Sequence, residues 1–207
     1  MVMASLSCAI VLAGEAPKTK QLMSPQTDGG RPLMQALKAR NSSRSFSSEK
    51  LPIQVLSNLL WAAFGINRTD SGKRTAPSAM NSQEIDIYVA AADGLYVYDA
   101  KAQLLRQVLS EDVRALTGRQ LFVAEAPVNL IYVADYSRMT RASQEDRDLY
   151  SAADTGFISE NVYLFCASEG LSTVVRGSID RAALAKAMKL RPDQKIILAQ
   201  TVGYPKK

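Results

Sequence analysis

Apolar residues recur along this chain with three different spacings, and each spacing predicts a different element. After Pro32, well placed at a helix start, Leu33, Ala36 and Leu37 share one face up to Arg40, as a short amphipathic helix requires. Pro52 opens a second such stretch, with Val55, Leu56, Leu59, Leu60 and Ala63 as its buried stripe and Gly65 as its stop. Over residues 84–100 the period falls to two, with Asp93-Gly94 between alternating runs, which predicts a β-hairpin. Residues 104–109 read as a short strand, followed by helical turns through Ala124. Pro127 then opens VNLIYVAD, an apolar run suited to a central strand covered on both faces.

The helical spacing returns over residues 143–170, a long helix whose second half is apolar nearly all round and therefore belongs in the centre of the molecule. A strand at residues 172–175, a helix running from the N-cap Asp180 to Lys189, and a last strand at residues 195–203 complete the pattern. Together these predict an α+β fold: a mostly antiparallel central sheet flanked by helices. Residues 67–82 are long, polar and punctuated by Gly and Pro, the description of a functional loop.

The organisation expected is one domain over residues 31–207, preceded by an extended arm at residues 17–30 rich in Pro, Gly, Thr and Lys. Residues 1–16 are apolar and end in Gly14-Glu15-Ala16, a small-x-small tripeptide like the end of a secretory leader, although a basic n-region is missing. Export to the periplasm is the expectation, with an ordinary cytoplasmic N-terminus as the alternative. Elsewhere no apolar run is long enough to span a bilayer.

Composition narrows the chemistry. The chain has no histidine, which removes Ser-His-Asp and Cys-His catalysis and the commonest general base. Reactivity must then come from a cofactor or from carboxylates, Lys, Tyr or Cys. Of the two cysteines, Cys8 falls in the leader and Cys166 in the long helix, where a small core side chain is the simplest reading. The formal charge of +5 is scattered without a long basic run, so it suits a small anionic ligand or a solvated surface better than nucleic acid.

Three short segments could bind such a ligand. Arg40-Asn41-Ser42-Ser43-Arg44 sets two guanidinium forks around a hydroxyl at the end of the first helix, a pattern fit for phosphate, though also for a solvated helix end. Arg74-Thr75-Ala76-Pro77-Ser78-Ala79-Met80-Asn81-Ser82-Gln83 gathers around a proline amides that donate and accept together, as the edge of a flavin ring needs, though a turn capping the next strand reads the same way. Val174-Val175-Arg176-Gly177 ends a strand at a glycine that permits close backbone approach, or forms a plain strand-to-helix turn.

The order of these segments resembles the nitroreductase family. RNSSR is similar to the family's Arg-x-Ser-x-Arg grip on the FMN phosphate and ribityl chain. APSAMNSQ resembles its Pro-Ser-x-x-Asn-x-Gln loop, APVNLIYVAD its central strand, DTGFISENVYLFCASEGL its interface helix, VVRG the turn below the flavin, and QTVGYP its closing strand. RTAPSAMN, VVRG and VGYPKK together resemble the branch that includes SagB-type dehydrogenases.

This resemblance implies an FMN-dependent oxidoreductase working as a homodimer. Arg40, Asn41, Ser42, Arg44, Pro77, Ser78, Asn81, Gln83, Arg176 and Gly177 would lie at the cofactor, with Lys207, or Lys206, in place of a longer basic tail. Arg176 stands where several relatives carry an acidic residue, so only its backbone role carries over, and Glu160-Asn161 replaces the more usual Gln-Asn. Hydride would pass between a reduced donor, NAD(P)H or a quinone, and a small organic acceptor by ping-pong exchange. An azoline dehydrogenase acting on a peptide and a non-catalytic flavin-binding protein are the alternatives.

Overall fold

The structure, a computed structural model, describes residues 18–206. Its centre is the predicted strand β7 (Val128–Asp135), all eight of whose residues are buried. β7 lies antiparallel between β4 (Ile85–Ala91) and β9 (Gln194–Gly203), so no backbone polar group along it lacks a neighbouring strand. From β4 the sheet continues outward through β5 (Gly94–Asp99) and β6 (Leu104–Leu109) to β1 (Thr19–Gln21), and on the other side β8 (Ser172–Arg176) borders β9. All pairings in this seven-stranded sheet are antiparallel.

The period of two sorts the apolar side chains into two cores. Ile85, Ile87 and Val89 join Leu130 and Tyr132 on one face, beneath α2 (Ile53–Phe64) and α4 (Gln144–Glu169). On the opposite face Tyr88, Ala90, Ile131, Val133 and Ala199 meet Leu184 and Met188 of the α5 region (Arg181–Ala187). The short helix α1 (Leu33–Ala39) lies along α4, and α3 (Phe122–Glu125) leads into β7. Helices thus flank the sheet on both sides.

The ends of α4 follow from its caps. The Ser143 hydroxyl accepts the Asp146 N–H at the start, and Gly170 closes the other end in the left-handed conformation at φ 71°. The helix is not enclosed all round, as its composition suggested. Ile158, Val162 and Cys166 face the sheet, whereas Ala152, Ala153, Gly156 and Phe157 stay exposed, as do Leu33, Met34 and Leu37 on neighbouring α1. The open apolar face therefore comes from the middle of α4 and from α1.

Two other local expectations are revised. Residues 67–82 are not irregular throughout, because β2 (Ile66–Arg68) and β3 (Lys73–Arg74) form a small separate hairpin ahead of a 3₁₀ turn at Ala79–Asn81. In the predicted hairpin, Gly94 is already paired with Ala91, so Ala92 and Asp93 make the turn. The arm is integrated too: β1 pairs with β6, and the backbone N–H groups of Met23 and Gln26 donate to Ser57 Oγ and Asn58 Oδ1 of α2.

Gly94 is the clearest point at which one residue sets the sheet's shape. Its φ is 137°, and a Cβ there would lie 2.4 Å from the Leu109 carbonyl oxygen. Gly94→Ala is expected to lower the unfolding free energy by about 2 kcal/mol or more through combined backbone strain and overpacking. Urea denaturation would measure this, and a loss within 0.5 kcal/mol would show that the turn accepts a side chain.

Candidate functional site

The first cluster forms where α1 ends. Arg40 is the C-cap of α1, its backbone N–H bonded to the Ala36 carbonyl, and its guanidinium lies 5.3 Å from the centre of the Tyr163 ring. The chain then passes along the free edge of β8, where the Ser43 N–H donates to the Thr173 carbonyl at 2.9 Å. Ser42 Oγ meets the Tyr163 hydroxyl at 2.8 Å, and that hydroxyl accepts the Val175 N–H at 2.9 Å. One tyrosine on α4 therefore joins the RNSSR segment to the VVRG strand. Neither Arg40 nor Arg44 pairs with a carboxylate among the described residues, which leaves both forks free for an anion. Asn41 instead donates to the nearby Ala39 carbonyl.

Arg176 and Gly177 divide the work at the end of β8. The Arg176 side chain turns into the protein and is 5% exposed. It donates to the Thr117 carbonyl at 2.6 Å, to Asn129 Oδ1 at 2.9 Å and to Thr201 Oγ1 at 3.1 Å. All three partners are neutral, and burial lowers its pKa to about 10. Only its backbone is left for a ligand. Gly177 is exposed, and a Cβ there would find only Leu198, at 3.7 Å, so a flat ligand could approach this backbone closely.

The second cluster is the loop at residues 77–83. Gln83 is committed within it: its Oε1 accepts from Arg74 Nε at 2.7 Å and its Nε2 donates to the Gly72 carbonyl and Asn81 Oδ1. Ser78 Oγ accepts the Gln83 N–H at 2.8 Å and donates to Glu84 Oε2 at 3.3 Å. Pro77 and Asn81 face outward. Met80, Asn81 and Gln83 have φ of 53°, 54° and 47°, a rare concentration of left-handed non-glycine residues, of the kind that persists where surrounding bonds over-determine the backbone.

Beneath the loop lie two acids, Glu84 at 0% and Asp154 at 2% exposure. Asp154 Oδ2 accepts the Ala79 N–H at 2.8 Å. Burial, aided for Glu84 by the neighbouring Asp154, raises the pKa of both carboxyls. Sequence reading missed this pair and the role of Tyr163. Asp154 sits on the α4 stripe that holds Ser151 and Ile158, where an acid spaced like a core residue is the available signal. Tyr163 was read only as one apolar residue of a central helix.

The two clusters are anchored at different points of α4. Asp154 touches one and Tyr163 the other, and along α4 they are about 13 Å apart at about 1.5 Å per residue. Lys206 lines a separate cavity of about 740 Å³ with Lys50, Leu51, Tyr96 and Val128, which contains none of the other site residues expected from sequence. Lys207 and the leader lie outside the described residues.

Comparison with known proteins identifies the family. The sequence model described as the nitroreductase family matches residues 37–204. A protein of Methanocaldococcus jannaschii named as a nitroreductase is 33% identical over 162 residues, covering 73% of this chain and 81% of that one. The crystal structure of a Ralstonia eutropha protein, also named as a nitroreductase, superposes with a TM-score of 0.88 at 43% identity, over 94% of this chain and 93% of the other. An NADPH:FMN oxidoreductase from Vibrio harveyi, complexed with NAD+, shares the fold alone, with a TM-score of 0.64, 19% identity and coverage of 84% and 69%. The extent of these matches, added to the order of the site segments, means that the chain belongs to the nitroreductase family, whose members are flavin-dependent oxidoreductases.

Proposed function

We propose that this protein is an FMN-dependent oxidoreductase, active as a homodimer, that passes reducing equivalents from a small reduced donor to a small organic acceptor. The observation that carries the reading is the unpaired Arg40 and Arg44, held with Ser42 against the β8 edge by Tyr163 and followed along that strand by the open backbone at Gly177. The donor set fits the cofactor. Two guanidinium forks and a hydroxyl match a terminal phosphate, and an unobstructed glycine matches a planar ring.

Bound FMN supplies the reversible hydride chemistry that a chain without histidine lacks. The protein's own residues do the rest. Arg40 and Arg44 grip the phosphate, Ser42 donates a neutral hydrogen bond, and the backbone N–H at Gly177 offers a donor where negative charge develops on the reduced ring. Tyr163 keeps segment and strand in register.

Two observations support the dimer. The loop at residues 77–83 and the phosphate cluster hang on different turns of α4, and the exposed apolar residues of α1 and mid-α4 form a face suited to a second copy. A loop from one protomer completing the site of its partner satisfies both. Beside that loop, Arg68, Lys73 and Arg74 line a hollow of about 360 Å³ with Ser78, Asn81 and Gln83. This cationic rim favours a phosphate-bearing nicotinamide nucleotide as the donor, with the acceptor following it at the same open face in ping-pong order. Location and donor are linked: a cytosolic chain with Met1 intact goes with NADPH or NADH, and a processed periplasmic chain goes with a quinone.

Colour provides the direct test. The purified dimer is expected to show flavin absorption and to bleach when mixed anaerobically with NADPH or NADH; a colourless chain that cannot be reconstituted with FMN would sink the reading. Arg40→Ala and Arg44→Ala are each expected to weaken FMN binding by about 1.5–3 kcal/mol, with only partial rescue by Lys, which lacks the fork. Fluorescence titration reads this, and unchanged affinity in both alanine variants would move the phosphate elsewhere. Sedimentation is expected to give a dimer whose dissociation releases flavin, and a monomer retaining one FMN per chain would contradict the shared site.

A further inference from the structure

The acid pair beneath the loop has no part in the phosphate cluster and no cation paired with it among the described residues. Glu84 and Asp154 reach it from β4's entry and from α4, and both are shielded from solvent. Glu84 accepts from the Ser78 hydroxyl, and Asp154 accepts from the Ala79 N–H. Glu84 Oε1 is buried with no hydrogen-bond partner.

We propose that Glu84 and Asp154 share one proton, and that this proton is a positioning element, locking the loop at residues 77–83 in the shape that presents Asn81 to the flavin.

Two ionised carboxylates in a dry site repel each other and lose hydration, which is among the costliest arrangements a protein can bury. A single proton on Glu84 removes one charge, and Glu84 then donates to the Asp154 carboxylate. The missing hydrogen bond is thereby supplied. Asp154 keeps its charge and holds the Ala79 N–H more strongly than a neutral acceptor could. Ser78 is tied to the same group, and it in turn accepts the Gln83 N–H. The bonds to Ser78 and Ala79 thus bracket the left-handed residues Met80, Asn81 and Gln83.

Surrounding charges do not neutralise the pair. Arg138 is bound to Asp86 and to the Gln83 carbonyl, and Arg74 to the Gln83 side chain and the Phe64 carbonyl. Arg191 is bound to Asp135, whose backbone N–H donates to the Glu84 carbonyl. Tyr136 turns its hydroxyl to Asp148, and Arg147 donates to the Met139 carbonyl.

The direction of the pH effect follows. Burial, and then the charge on Asp154, hold the Glu84 pKa above the ordinary 4.5. The one-proton clamp is therefore lost as pH rises through the elevated Glu84 value, and it loosens again at acid pH where Asp154, also raised above its ordinary value, takes a second proton. Loss of one proton coupled to loop release weakens flavin binding by up to about tenfold per pH unit above that value.

The inference rests on the flavin reading only for what the loop serves, so two measurements are needed. FMN affinity of the intact protein is titrated against pH for wild type, Glu84→Gln and Asp154→Asn. Wild type is expected to lose affinity on the alkaline side, Glu84→Gln to lack that limb, and Asp154→Asn to show its inflection at lower pH because the charge that kept Glu84 protonated is gone. Ionisation of the ligand itself is common to all three and cancels in the ratios. The second measurement uses wild type without flavin, so it stands even if a variant fails to fold. Carbon-13 labelling of glutamate is expected to shift a carboxylic-acid C=O infrared band that persists above the ordinary glutamate range and disappears as pH rises further. Absence of that band, or a Glu84→Gln pH curve that superposes on wild type, overturns the proposal; the band in a protein that binds no FMN overturns the flavin reading instead.

Discussion

Three hydrogen bonds to one rigid helix set the geometry on which everything else here depends. At one point α4 offers the Asp154 carboxylate to the Ala79 N–H, and farther along it offers the Tyr163 hydroxyl to Val175 and Ser42. Because the helix is capped at both ends and packed on the sheet through Ile158, Val162 and Cys166, it acts as a ruler between the two binding segments. Neither segment could shift without breaking a bond to it.

The elements legible in the sequence were those whose pattern reflects burial. The unbroken apolar run of β7, the stripe of α2 and the Ser143 and Gly170 ends of α4 each encode their own surroundings. The hairpin of β2 and β3 was not legible, because Asn67, Arg68 and Lys73 are polar and strands this short carry no alternation. The exposed side of α4 was misread for a related reason. Periodicity marks apolar residues without saying whether their own chain covers them, and Phe157 stays 49% exposed within it.

Within the site, sequence order located the segments better than it assigned their side chains. RNSSR and VVRG do meet, but through Tyr163, whose hydroxyl finds its partners only after folding. Ser78 and Gln83 proved to wire the loop internally, leaving Pro77 and Asn81 outward. Arg176 is a donor to three neutral oxygens in the interior, a role that no spacing rule predicts because those oxygens come from Thr117, Asn129 and Thr201, all distant in sequence. Buried polar groups are set by tertiary partners, and one sequence read alone does not list them.

The run of Ser43 along β8 has a consequence for how the protein survives at high concentration. A sheet border with unpaired N–H and C=O groups is a template for stacking against other molecules and seeding aggregates. Here Ser43 takes up the Thr173 carbonyl and Tyr163 takes up the Val175 N–H, while the opposite border is the three-residue β1, which carries Lys20. The segment that carries Arg40 and Arg44 thus also covers this border of the sheet. Changes there that displace Ser43 would expose this border, so loss of binding and loss of colloidal stability would arise together from one local cause.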